Sequence, residues 1–230
     1  MASSAFEQAR LRVGTLGIGV LLASAGGFLD GFTYVGHGHV FANAMTGNVV
    51  LLGISCYSGS WKTALHFLPA ILAFVFGVSV SQIMQLHSKR RDVSPPYPAV
   101  LALETVVLLV LSLLPAATAD ILFTTSIAFV ASVQVQTFRN VNGQTFNSTF
   151  TTGNLRTLSE AAVDWFLEGH SAASGRVVRD FSAVCAAFLV GAAAGGYGFQ
   201  TLGNRALWGE IFLLGLVAIR VQGQSRLTTT

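Results

Sequence analysis

Residues 26–53 read GGFLDGFTYVGHGHVFANAMTGNVVLLG. The stretch leaves one apolar run, carries Asp30, His37, His39 and Asn43, and re-enters another through Thr46-Gly47-Asn48. A related block, QVQTFRNVNGQTFNSTFTTGNLRTL, occupies residues 134–158. The two Thr-Gly-Asn triplets lie 106 positions apart, as do Phe32 and Phe138, and Glu104 and Glu210. Ala73-Phe74-x-x-Gly77 matches Ala187-Phe188-x-x-Gly191 at an offset of 114, the extra residues falling near 170–178. Polar, glycine-rich blocks repeated within an apolar chain predict two related membrane units.

Composition agrees with that class. The chain has 230 residues, 52% hydrophobic and 10% charged, with a net charge of +3. Soluble domains carry about 25% charged residues. Basic patches with interleaved aromatics are missing, so no nucleic-acid partner is expected. Cys56 and Cys185 lie in separate apolar runs and read as small core residues. Arg10 and Arg12 before an apolar run that ends Ala23-Ser24-Ala25 resemble a signal peptide. Cleavage there would detach the helix leading into Asp30, so the run is read as a span.

Apolar runs of spanning length fall at 13–35, 63–86, 99–115, 119–138, 180–202 and 206–221. A span needs about 20 apolar residues, about 17 at the short end. Segments 43–58 and 150–168 are weaker. The second holds Arg156, Glu160, Asp164 and Glu168, and a charged residue at the bilayer centre costs roughly 2.5–3.5 kcal/mol. Both are read as re-entrant or interfacial helices. With six spans and cytoplasmic termini, Arg10, Arg12, Lys89, Arg90, Arg91, Arg139, Arg156, Arg176, Arg179, Arg220 and Arg226 fall inside. Only Lys62 and Arg205 fall outside, as the positive-inside rule requires. The expected fold is therefore all-α: one membrane domain over 1–230, with units 13–115 and 119–221 forming a 3+3 inverted repeat. The expected location is the cell (plasma or inner) membrane, with the lipid bilayer as the main partner.

Several residues could carry chemistry. Asp30, flanked by Gly26, Gly27 and Gly31, reads either as an intramembrane proton or cation site or as a cap for the next turn. Its counterpart by repeat is the neutral Gln136. Thr46-Gly47-Asn48 and Thr152-Gly153-Asn154 open helical stretches whose positive ends suit an anion or polar solute, or simply cap a re-entrant helix. Arg139, closing Gln134-x-Gln136-Thr137-Phe138-Arg139, could bind an anion, pair with Asp30, or mark the inner boundary. Glu104 and Glu210 are candidate proton carriers alongside Asp30, or hydrogen-bond partners of a polar segment. His37 and His39 lack the further ligands of a metal site, so no metal or cofactor is expected. Gly191-x-x-x-Gly195 reads first as a packing face and second as a homodimer contact. The sequon at Asn147 is discounted because it falls near the cytoplasmic side. With no GxSxG, Walker loop or HExxH, no enzyme is expected.

The residues Asp30-Gly31-x-Thr33-Tyr34, Gly38-His39-x-Phe41-x-Asn43-x-Met45-Thr46-Gly47-Asn48 and Thr152-Gly153-Asn154-Leu155-Arg156 resemble the YoaK-type family of small integral membrane proteins. The resemblance covers about residues 15–220. It implies about six spans and a permease-like role, and it names no substrate. The expected function is transport of a small polar or anionic solute, proton-coupled, with the site between the two Thr-Gly-Asn helices. The expected binding residues are Asp30, Thr33, Tyr34, His39, Asn43, the two triplets, Gln134, Gln136 and Arg139. The alternative is a non-transporting scaffold or sensor, distinguishable by a solid centre in place of a polar cavity.

Overall fold

The computed structural model describes residues 4–149, 151–167 and 169–226, with side chains described as far as 224. Glu168 and the side chain of Arg226, both used in the charge argument, lie outside the described residues. The helices are α1 (Ala5–Val13), α2 (Leu16–Gly36), α3 (Met45–Tyr57), α4 (Trp61–Arg90), α5 (Tyr97–Ser112), α6 (Asp120–Thr137), α7 (Thr151–Leu167), α8 (Ala172–Leu202) and α9 (Leu207–Arg226). A two-stranded hairpin, β1 (Asn140–Val141) and β2 (Gln144–Thr145), follows α6.

Among the described residues, three helical stretches are long and apolar enough to cross a bilayer: Leu16–Gly36, Trp61–Arg90, and Ala172–Gln224, which takes in α8 and α9. α5 has 16 residues and α6 has 18, around the lower limit of the roughly 17–25 that a crossing needs. Leu72, Val75, Phe76 and Ile83 of α4, Leu189 and Val190 of α8, and Phe212 and Ile219 of α9 are exposed. An apolar outer surface of this extent suits lipid rather than water.

Two features depart from the sequence reading. The first apolar run does not begin at Val13. The chain breaks at Gly14-Thr15, and residues 5–13 form a separate amphipathic helix whose N-cap Ser4 accepts from the Glu7 N–H at 3.3 Å. Residues 140–145, read as part of a polar block, form the hairpin; Asn142 and Gly143 at its turn both have positive φ, as a tight two-residue turn demands.

The core rests on close crossings. α2 lies against α8, with Gly27 and Gly31 facing the carbonyls of Phe188 and Ala192. Gly191 and Gly195 reciprocate against the carbonyls of Ser24 and Phe28. Lipid offers helices little hydrophobic drive to associate, so close backbone approach supplies the dispersion contact. The Gly191/Gly195 face is thus occupied inside the bundle, and a homodimer contact would need another surface. α4 lies against α6 in the same manner, with Gly77 at Phe129 and Ser132, and a Ser81–Thr137 hydroxyl bond of 2.9 Å. The remaining main contacts are α3 with α4, α7 with α8, α5 with α6, α2 with α9, and α5 with α9. Exchanging α2 with α6, α3 with α7, α4 with α8 and α5 with α9 maps this set onto itself.

Local contacts sort the bundle into two ends. At one end His37 meets Asp120, Gly38 meets His66, and Asn204 donates to the Leu114 carbonyl. At the other end the Phe6 N–H bonds Asp92, Gly14 meets Asn140, Gly17 meets Arg220, and Asn142 bonds Asp180. Arg10, Lys89, Arg139 and Arg176 belong to this second end, where they line surface clefts.

Candidate functional site

The Gly26–Asn48 block folds into a hydrogen-bonded knot on the middle of α2. A helix that starts inside a bundle must find acceptors for its first N–H groups without water. The Met45 and Gly47 N–H groups turn back on the Asn43 and Ala44 carbonyls, and Asp30 Oδ1 holds the lead-in just before the helix, accepting from the backbone N–H of Asn43 at 2.7 Å and of Ala44 at 3.3 Å. Asn43 Nδ2 donates to the Gly26 carbonyl at 3.1 Å. Thr33 Oγ1 donates to the Leu29 carbonyl and accepts from the Ala42 N–H. Asn48 reaches back to Phe41, accepting from its N–H at 2.9 Å and donating to its carbonyl at 2.7 Å. Asp30, Thr33, Asn43 and Asn48 are all buried.

The lead-in to α7 repeats one part of this design. Asn154 accepts from the Asn147 N–H at 3.3 Å and donates to its carbonyl at 2.7 Å. Asn147 stands 106 positions after Phe41, as Asn154 does after Asn48. Both lead-ins meet at Gly26, whose carbonyl holds Asn43 and whose Cα lies against Ser148 and Thr149. Helices α3 and α7 themselves pack on α4 and α8 and are largely exposed beyond their first turns. Segments 43–58 and 146–166 are expected at the interface of the two units; their lead-ins reach the centre, while the rest of α3 and α7 lies outward.

A second polar centre sits where α5 meets α9. Glu104 and Glu210 are fully buried, and Gln134 Nε2 donates to Glu104 Oε2 at 2.7 Å. The counterpart of Gln134 is Phe28, so neither carboxyl oxygen of Glu210 has a partner among the described residues.

The other expected site residues lie elsewhere. Tyr34 and His39 are exposed and pack with their rings tilted to each other, and Tyr34 stacks on Phe41. Thr46, Thr152 and Gly153 are exposed at the starts of α3 and α7, while Gly47 sits against the Phe41 ring. Gln136 bonds Gln82 at 2.7 Å and lines, with Gln85, Lys89 and Arg139, a cleft of about 350 Å³ at the cationic end. Arg139 does not pair with Asp30. It is exposed, and its nearest side-chain partner is Gln136 at 3.5 Å. The two residues are held near opposite ends of the bundle, because α6 runs antiparallel to α2 and Arg139 follows its last turn.

His37, just past α2, donates to or accepts from Asp120 at 3.0 Å and stacks on Phe123 at 4.0 Å between centroids. Burial pushes its pKa down, opposed by the Asp120 carboxylate and Asn204. Phe32 and Phe199 pack against the same ring, so this region is filled. Cys56 and Cys185 are half-buried free thiols rather than core residues. Among the described residues no three His, Cys, Asp or Glu side chains converge as a metal site. The residues that the sequence reading missed are Ser148 and Thr149. Thr149 is the repeat counterpart of Asn43, which was the available signal.

An all-helical bundle with an apolar exterior, buried polar knots and helices of spanning length is an integral membrane protein. The chain belongs to the family described as protein of unknown function (DUF1275), which it matches over residues 18–220. It is similar to the UPF0700 transmembrane protein YoaK of Bacillus subtilis (strain 168), at 33% identity over 94 residues. That match covers 41% of this chain and 42% of the relative, so less than half of either is aligned. No solved structure matches the chain.

Proposed function

We propose that the protein is a small secondary transporter built as a 3+3 inverted repeat, with its solute site where the two lead-ins meet on α2. The observation that carries this reading is the convergence of the Asn48 and Asn154 staples, at the same register, on the two sides of Gly26. Interrupted helices starting near the middle of a bundle are a plan that transporters use to present helix N-termini to a solute. Asp30 holds the α3 lead-in, while its counterpart by repeat is the neutral Gln136, so the α7 lead-in has no such carboxylate and suits a small polar or anionic solute better. Coupling charge would be carried by Asp30 and by the buried carboxyls of Glu104 and Glu210. The contact set that maps onto itself supports six crossings, α5 and α6 included. Cations gathered at one end support cytoplasmic termini and a plasma or inner membrane location.

A scaffold or sensor role is the second reading. The packing of Phe32, Phe123 and Phe199 around His37 favours it, as do several surface clefts among the described residues that neither Asp30 nor either triplet lines. Flux measurement separates the two. Purified protein in proteoliposomes is challenged with a panel of small polar and anionic metabolites under imposed proton or sodium gradients. Gradient-driven uptake that Asn154→Ala or Glu210→Gln weakens supports transport. No uptake of any panel member under either gradient favours the scaffold.

A further inference from the structure

The centre of the bundle holds more unpartnered oxygen than its helices explain. Asp30 Oδ1 serves the α3 lead-in, but Oδ2 is buried with no hydrogen-bond partner. Asn43 is pinned by its Nδ2 bond to Gly26, which fixes Oδ1 as the free atom, and that atom too has no partner. Across Gly26, the hydroxyls of Ser148 and Thr149 are buried, and like the two atoms above they have no partner among the described residues. Gly26 ties these four side chains together. Asp30 lies one turn beyond it on the same face of α2, Asn43 bonds its carbonyl, and the Ser148 backbone carbonyl and the Thr149 methyl face its Cα, which sets both residues beside the Asp30–Asn43 knot. An unpaired buried polar group is costly, so four in one neighbourhood form an arrangement that a ligand would relieve.

The chemistry of the four atoms selects the ligand. A carboxylate oxygen and an amide oxygen only accept, and hydroxyl oxygens can act as neutral ligands. Asp30 makes no ion pair among the described residues, so the cluster carries one uncompensated carboxylate when ionised. A single anionic oxygen with three neutral oxygens fits a hard monovalent metal ion. A divalent ion calls for more carboxylates, and no such group converges here. A proton on Asp30 would satisfy one oxygen and leave the amide and both hydroxyls unpaired. An anion would meet acceptors at two of the four positions.

We propose that Asp30, Asn43, Ser148 and Thr149 bind a monovalent metal cation of the sodium type between the two lead-ins. As the coupling ion it rests on the transport reading; as a binding site it does not. The ion joins the Asp30–Asn43 knot to the α7 lead-in, so its binding stabilises the fold by mass action.

The test uses the full chain in detergent, with sodium chloride exchanged for choline chloride at constant ionic strength. Thermal stability rises saturably with sodium and not with choline. Thr149→Val and Ser148→Ala each weaken the titration midpoint about tenfold, which corresponds to about 1.4 kcal/mol. Thr201→Val, an exposed position on α8, titrates as the parent does. Asp30→Asn abolishes the response where it folds, and the two hydroxyl variants decide the question where it does not. Equal melting in sodium and choline, or a Thr149→Val titration like the parent's, overturns the proposal. Saturable sodium binding with no flux in proteoliposomes keeps the site and removes the transport reading. Flux indifferent to sodium, together with no sodium response, does the reverse.

Discussion

Asn48 and Asn154 offer a direct test of the paired lead-ins. Asn48 is 0% exposed and holds both backbone groups of Phe41, at 2.9 Å and 2.7 Å. Asn48→Ala leaves the N–H and carbonyl of the half-buried Phe41 without these partners, so the cost of two fully buried unpaired groups is the upper limit. At roughly 1–3 kcal/mol each, that limit is about 2–6 kcal/mol. Asn154 is 3% exposed and its bond to the Asn147 N–H is longer, at 3.3 Å. Its alanine variant therefore falls in the lower half of that range. Asn48→Leu separates bonding from volume, because it nearly fills the space and restores neither bond. Asn48→Asp keeps the acceptor but turns a carboxylate oxygen toward the Phe41 carbonyl, so it is at least as damaging as alanine. Unfolding is followed in detergent with a thiol-reactive fluorophore on the half-buried Cys56 and Cys185. Wild-type stability in Asn48→Leu would show that packing and not the two bonds holds the lead-in. A large loss in Asn48→Ala with none in Asn154→Ala would break the equivalence of the two halves.

Other outcomes follow from the packing. Gly191→Ala drives a Cβ into the Ser24 carbonyl and costs several kcal/mol or prevents folding, whereas Gly215→Ala in α9 meets open space and gains about 0.5–1 kcal/mol of helix propensity; similar effects at both positions would refute the close crossing. His37 is pushed below its ordinary 6.5 by burial, so the unfolded chain binds the proton first. Its stabilising contribution is complete above 6.5 and is lost as pH falls through the lowered folded value. Melting temperature against pH should therefore fall less steeply on the acid side in His37→Gln, and an unchanged acid limb would refute the assignment. In a cysteine-free background, an impermeant maleimide added to intact cells labels Ala117→Cys and not Arg90→Cys. The reverse pattern inverts the orientation, and labelling of both shows that α5 does not separate them.

The spans were legible because lipid forces long uncharged runs, and the runs at 63–86 and 180–202 sit inside α4 and α8. Asn48 and Asn154 were legible through the 106-residue offset, and a close-packing face on α8 through Gly191-x-x-x-Gly195, though not the helix that fills it. What periodicity cannot give is which helices meet. Nothing local says that Gln134 of α6 bonds Glu104 of α5, or that Phe28 stands where a second glutamine would. The Arg139–Asp30 pairing, by contrast, could have been rejected early. An arginine just past the last turn of one helix and an aspartate beyond the middle of its antiparallel neighbour are separated by much of a helix length, at 1.5 Å per residue. The hairpin also left a signal in Asn142-Gly143, overlooked because residues 134–158 were read as one block.

The crossing of α2 on α8 also bears on how the chain is made. A ribosome releases α2 long before α8, so the glycine face of α2 enters the membrane with its eventual occupant not yet synthesised. α4 waits a shorter time for α6. The early helices must therefore be held apart from wrong neighbours until the last third of the chain arrives, and insertion cannot finish helix by helix. By the same logic, the two halves produced as separate polypeptides should complement each other when co-expressed, since each supplies the surface that the other lacks.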